Sequence, residues 1–389
     1  MTGMPHILFH RPTLWGSDIQ CSTKVLARLF AARGFDVSYL ENPLDPVHLL
    51  RGKGYVQEWK KSPRMQDGVR ILNLATPVPV RDVWPLNTIA SSFMKYRTMM
   101  PSLRSSVMCN ERAAPDLIWT TVPGSAAALK KAFPEARIVF HVVDYYPAFR
   151  GDAVKPLERK DYATADAVYV IGTSLLNYLV QDLGVPASKV EVLGQGAELE
   201  IYQATTPDPE DIRDLPHPRA IWCGVLAKGD IGLFTKLASE MEARGGSLIL
   251  IGPSANWSDG LARSKPDVVS LLGPKSPPEL PGYLKAADIG IMLYDRTRQE
   301  VYRGQNPLKL YEYAAAGLPV LSTDHDEFAT LRPPVALIKE DTDISSAIET
   351  ITSDMDRHKS DALNFAAKHS WQAKVDVITQ RFFPDHLAQ

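Results

Sequence analysis

Lys309 and Glu312 stand three residues apart, just after Asn306-Pro307, in a run that ends Gly317-Leu318-Pro319-Val320. On a helix that spacing puts an ammonium and a carboxylate on one face. Pro307 suits a first turn, where its missing N–H costs nothing, and the free N–H groups and positive dipole end of that turn attract a diphosphate. Lys309 adds a full charge there. Glu312, one turn on, can accept two charge-assisted hydrogen bonds from vicinal hydroxyls such as those of a ribose. By spacing alone, an amphipathic helix with a solvated Lys–Glu pair accounts for the segment equally well. A second carboxylate, Asp144, closes the apolar run that starts at Ile138 and is followed by Tyr145 and Tyr146. Desolvation at a strand tip beside aromatic rings raises a carboxyl pKa toward that of a working general base. A turn aspartate capping the next loop is the alternative.

Weaker signals surround these two. Gly224 follows the apolar run Ala220 to Cys223, and Lys228 lies a little beyond. The turn Gly194-Gln195-Gly196 lets backbone approach a ligand, with Glu198 available for a hydroxyl or simply part of the turn. Between Tyr294 and Arg303 lie Arg296, Arg298 and Tyr302, and guanidinium binds phosphates and sugar carboxylates alike. Asp324-His325-Asp326 has metal-ligating types but reads as a turn after the strand Val320–Ser322. The nine histidines show neither His-x-x-His nor HExxH spacing, so zinc has no support. His10 and His141 are candidates to face a cleft, although a lone histidine near a strand is more often structural.

The elements that must position these groups alternate. His6–His10 is a strand, Ser22–Arg33 an amphipathic helix ended by Gly34, and Asp36–Leu40 a second strand, which together make a βαβ unit. Strands follow at Arg70–Leu74, Leu117–Thr121, Ile138–Val143, Ala167–Ile171 and from Val190. A proline-rich connector comes next, and then a second series at Ala220–Val225, Ser247–Ile251, Val268–Leu272, Ile289–Leu293 and Val320–Ser322. Nearly all-apolar strands between helices imply parallel sheets covered on both faces. The expected organisation is a first domain over 1–204, a linker over 205–218, a second domain over 219–368 and a closing helix over 369–389.

At 389 residues and 45% hydrophobic composition the chain can build two cores. Cys21, Cys109 and Cys223 are too few and scattered for a disulfide framework, which fits a reducing compartment. No signal-peptide pattern and no long apolar run occurs. Net charge is −2, yet residues 51–104 hold ten basic against three acidic residues. Among them Lys95, Arg97 and Arg104 are interleaved with Trp84, Phe93, Met94 and Met100, as in segments lying at a lipid headgroup interface. A solvated helix surface is the plain alternative, and without a recognised module a nucleic-acid groove is disfavoured.

The 306–323 segment resembles the donor-site helix of GT-B glycosyltransferases: a lysine, a glutamate three residues on, small residues, then Gly-x-Pro-Val. The run from Val139 to Asp144 and the segment Ala165 to Ser174 resemble the middle of bacterial GT-B enzymes that build surface polysaccharides. Both are also similar to the membrane-associated, inverting glucuronosyltransferase type of the xanthan pathway. The resemblance implies two Rossmann-like, doubly wound α/β domains facing a cleft, with the C-terminal helix crossing back to the first. It implies a UDP-sugar donor held by Gly224, Tyr302, Arg303, Asn306, Lys309 and Glu312, with Gly16 and Glu198 on the acceptor side and Asp144 as base. It further implies a lipid-linked or amphiphilic glycan acceptor, no metal or other cofactor, and a cytoplasmic enzyme held peripherally at the membrane through Lys95, Arg97 and Arg104.

The retaining branch carries another glutamate where this chain has Gly304, which favours inversion; a retaining hexosyltransferase remains the alternative. A sugar-nucleotide epimerase and a catalytically silent binding protein are more distant ones. A dehydrogenase is disfavoured, because the first strand leads into Arg11-Pro12-Thr13-Leu14-Trp15-Gly16 and not a GxGxxG turn.

Overall fold

The computed structural model describes residues 4–11, 13–17, 20–51, 53–80, 84–110, 112–298, 302, 304–339 and 344–386. The chain divides into two compact units, 1–194 with 374–389, and 195–373.

The first unit is built on β1 (His6–His10), β2 (Asp36–Leu40), β3 (Arg64–Gln66), β4 (Val69–Leu72), β5 (Leu117–Thr120), β6 (Arg137–Val142), β7 (Ala167–Val170) and β8 (Val190–Val192). Their order in the sheet is β3-β4-β2-β1-β5-β6-β7-β8. All neighbours are parallel except β3 and β4, which form an antiparallel pair. The turn between them is Asp67-Gly68, both at positive φ (52° and 74°), the conformation a two-residue hairpin needs. Burial explains the composition of the central strands: Leu8, Phe9, Ile118, Trp119, Val139 and Phe140 are fully enclosed. Helices close both faces, since parallel strands need crossovers.

The second unit carries β9 (Arg219–Cys223), β10 (Ser247–Ile251), β11 (Val269–Gly273), β12 (Ile289–Met292), β13 (Val320–Thr323) and β14 (Val335–Ile338). The order β11-β10-β9-β12-β13-β14, wholly parallel, is the doubly wound arrangement, with its switch point between β9 and β12.

Two boundaries differ from the sequence expectation. The first unit ends at Gly194, ahead of the 205–218 connector, because Ala197 is already bridged to the second unit's Ser370: its N–H donates to His369 O (3.1 Å), and Trp371 N–H donates to Ala197 O (3.1 Å). The connector is no free linker. Arg219 is buried and donates to the carbonyls of Leu215 (2.9 Å) and Arg213 (2.7 Å), and Ile212 is fully enclosed. The closing helix Trp371–Phe382 begins in the second unit, and from Lys374 onward the chain belongs to the first. There Phe383 meets Phe35 (5.1 Å between ring centres) and Arg33 pairs with Asp376 (2.6 Å).

Candidate functional site

On the second unit the switch point is closed by aromatic side chains. Trp222, one residue before the end of β9, is fully buried and donates its indole N–H to Gly224 O (3.2 Å). Tyr294, just past β12, packs against it with ring centres 5.2 Å apart. The helix Leu308–Ala315 starts after Pro307, which stands as its N-cap. Tyr313 fixes this helix to the sheet. Its hydroxyl accepts from Cys223 N–H (2.8 Å), and its ring takes the space above Gly290, where a Cβ would come within 2.5 Å of it.

That placement carries Lys309 over the sheet edge. Its ammonium lies 3.3 Å from the Trp222 ring centre and 5.0 Å from that of Tyr294. Among the described residues it makes no ion pair with Glu312, so the solvated Lys–Glu pair does not form. Gly224, at φ 135°, passes beneath; a Cβ there would sit 3.2 Å from Lys309 Nζ. Burial lowers Lys309 to about 7, Lys228 pushing the same way and the neighbouring Cys223 and Glu312 opposing it. Glu312 lies near the Tyr202 hydroxyl; burial raises its pKa, against that hydroxyl and Lys309, and nearby Glu198 raises it further. The site therefore offers a poised cation and a carboxylate at the carboxyl edge of a parallel sheet, where ligands of such sheets bind.

On the first unit Asp144 follows β6 in a bend and is partly buried. Tyr146 beside it donates its hydroxyl to Thr121 O (2.8 Å), and Tyr145 packs edge-on to Tyr178 (4.8 Å). The Arg11 guanidinium interacts electrostatically with Asp144 and reaches Thr121 Oγ1 (3.4 Å). Asp144 thus has a cationic neighbour as well as the aromatic ones that the sequence suggests.

Residues 20–196 match the glycosyl transferase 4-like domain family. TuaH of Bacillus subtilis, a glycosyltransferase assigned to teichuronic acid biosynthesis, is 26% identical over 235 residues, 56% of this chain. The match spans 57% of the length of TuaH. Among solved structures, sucrose-phosphate synthase from Thermosynechococcus elongatus matches 99% of this chain with 100% of its own, at a TM-score of 0.69 and 17% identity. HepE of Anabaena, in complex with UDP and glucose, matches with the same coverage at a TM-score of 0.65 and 13% identity. The chain has the GT-B glycosyltransferase fold.

Within the GT-B frame the other expected residues fall into place unevenly. Glu198, expected on the acceptor side, belongs to the second unit and lies buried near Glu312, because the chain crosses before it. Asn306 is buried, and its side-chain oxygen accepts from the Tyr311 hydroxyl (3.0 Å). Tyr302 stands behind Tyr294 with its hydroxyl on Lys228 O (3.3 Å), and Arg303 lies outside the described residues. Gly304, at φ 68°, turns its N–H toward the Asp326 carboxylate (3.4 Å). Gly16 sits in the turn after β1.

Of the three cations expected at a membrane, Arg97 and Arg104 are exposed and Lys95 is partly buried. Lys95 reaches over the Tyr96 ring (4.6 Å) and lines a recess of about 30 Å³ with Arg150, and Arg104 donates to Ala132 O (2.7 Å). Apolar side chains take the outer positions of this region: Trp84 is 82% exposed, Met94 52% and Met100 58%. No described helix is long and apolar enough to cross a membrane.

Sequence reasoning missed Trp222, Tyr294, Tyr202 and Tyr313 as site-building residues. The signal for the first two is an aromatic at the end of each strand flanking the switch point. His10 is structural, bonded to Thr120 Oγ1 (3.0 Å) and to the Tyr96 hydroxyl (3.3 Å), with burial holding it neutral at about 3.

Proposed function

We propose that the chain transfers a sugar from a UDP-sugar to a hydroxyl of a lipid-linked or amphiphilic glycan, with inversion. The observation that carries this reading is the Lys309 ammonium held over Trp222 beside Gly224 at the switch point of the second sheet. There it would neutralise the donor diphosphate together with the first turn of its own helix, while Glu312 takes ribose hydroxyls. The UDP complex of HepE supports the donor class, and the teichuronic acid biosynthesis assignment of TuaH supports a glycan product. Arg296 and Arg298 would meet the carboxylate of a uronic acid such as glucuronate.

In the reaction Asp144 takes the proton of the acceptor hydroxyl as its oxygen attacks the anomeric carbon, and the bond to the diphosphate breaks with its electron pair leaving on UDP. The reading gives a metal no part in neutralising the diphosphate. It places the enzyme at the cytoplasmic membrane face, where the exposed apolar side chains and Arg97 meet lipid.

Thermal unfolding with UDP, GDP, ADP and their sugar conjugates tests the donor class, since a ligand that binds only the folded state raises the midpoint by mass action. Stabilisation by uridine nucleotides is expected, and none with any of them rejects the UDP assignment. The anomeric configuration of the product then separates inversion from retention.

A further inference from the structure

His325 lies just past the carboxyl end of β13 and is 6% exposed. Its backbone is fixed on both sides: its N–H goes to Asp324 Oδ1 (2.9 Å), and its carbonyl accepts from Phe328 N–H (2.8 Å). The ring stands edge-on to Tyr294, centres 5.0 Å apart at 84°, and against Phe328 at 4.9 Å. Nε2 is closed to solvent and meets no hydrogen-bond partner among the described residues. A buried imidazole nitrogen left without a partner is a cost that a phenyl ring in the same place would not carry, so such a group asks for an explanation. The same Tyr294 ring holds the Lys309 ammonium at 5.0 Å, and Lys309 is close enough to His325 for its charge to oppose protonation of the imidazole.

We propose that His325 is a further donor-binding residue, its enclosed Nε2–H uncovered when a nucleoside diphosphate sugar binds and then presented to the diphosphate beside Lys309. This rests on the donor-site reading of the second unit. Burial first, then the Lys309 charge, lowers the imidazole to about 4, so at neutral pH the ring carries one proton and donates without adding a second fixed charge. Two donors of different kind on one tyrosine wall suit an acceptor-only ligand bearing several oxygens. A diphosphate has that character, and an uncharged nucleoside does not.

Calorimetric titration of UDP and uridine into wild type, His325→Leu and His325→Gln tests this. The UDP affinity of His325→Leu is expected to fall about ten-fold or more, as for loss of a hydrogen bond to a charged group. Its uridine affinity should move less than about two-fold, and His325→Gln, which keeps an N–H in reach, should recover part of the loss. An unchanged ratio of UDP to uridine affinity in His325→Leu overturns the proposal, and so does a parallel loss of both, which marks a packing role. Should His325→Leu not fold, the nitrogen resonances of the wild-type imidazole decide. UDP is expected to shift Nε2 and uridine to leave it unmoved, and an Nε2 indifferent to UDP overturns the proposal. If wild type binds neither ligand nor any other nucleoside diphosphate, the donor-site reading itself fails and takes this inference with it.

Discussion

The Lys309 ammonium rests 3.3 Å from the centre of the Trp222 indole, so the cation is stored on an aromatic face before any ligand arrives. A desolvated contact of this kind is worth about 2 kcal/mol. It holds the long side chain in one place, which lowers the entropy a ligand must otherwise remove on binding.

Lys309→Met should weaken UDP binding about 10–100-fold, the effect of removing a charge-assisted contact. Lys309→Arg should not restore it, because a planar guanidinium does not fit the position of a compact ammonium between Trp222 and Gly224. Calorimetric titration reads both variants. Wild-type affinity in the arginine variant argues against a cage shaped for an ammonium.

The pH dependence follows from the lowered lysine. Folded and ligand-free, Lys309 titrates at about 7, against ~10.4 in an unfolded chain. Between those values the unfolded state binds the extra proton, so this group's contribution to stability rises with pH across the window, and its buried charge costs stability below it. Lys309→Met should therefore raise the unfolding midpoint more at pH 6 than at pH 8.5. Ligand affinity runs the other way, because the diphosphate needs the ammonium. UDP binding by wild type should weaken steadily from pH 7 to 9 while that of Lys309→Met stays weak and nearly flat.

Tyr313→Phe removes the only described partner of the Cys223 N–H and should cost about 1–3 kcal/mol, the penalty for an orphaned buried donor. Denaturant unfolding measures it. Because this hydroxyl seats the 308–315 helix on β9, UDP affinity should fall as well, although the tyrosine is buried and has no exposed surface to offer a ligand.

Asp144→Asn should lower transfer about 10²–10⁴-fold while leaving UDP affinity within about two-fold of wild type. The two measurements must separate. A variant that still makes product at the wild-type rate removes Asp144 from the role of base.

Exchanging Trp84 and Met94 for serine should weaken binding to vesicles containing anionic lipid about ten-fold, and Arg97→Glu should do the same at low salt while making the remaining binding less dependent on salt. Sedimentation with vesicles of neutral and anionic composition reads both. Wild type that stays in the supernatant with every composition rejects the membrane reading.

Much of the doubly wound pattern was legible. Ser247–Ile251 reads as a strand because the short apolar run Leu248 to Ile251 stands between Gly245-Gly246 and Gly252, and Ser22–Ala32 reads as a helix because its apolar face repeats at the right spacing. The β3–β4 hairpin was missed although Asp67-Gly68 announces it: the arm Arg64–Gln66 has an exposed, polar edge and shows no alternation. β14 follows two prolines and is only partly buried along most of its length, which dilutes its signal. In the site, Lys309 and Glu312 are local in sequence and could be found there. Trp222 and Tyr294 become neighbours only through the order of β9 and β12 in the sheet, and nothing in their local sequence states that order. Glu198 changed sides for a similar reason, since the bridge from Ala197 to Ser370 joins distant segments.

The first unit is completed by residues 374–389, where the half-buried ammonium of Lys374 donates to Leu193 O. During synthesis the whole of 195–373 must be made before that segment emerges, a delay of roughly 10–40 s at ordinary translation rates. Through that time the first unit still exposes the surface around Phe35 that Phe383 will cover. A chaperone would find its binding surface on the part made first, until the last segment is released.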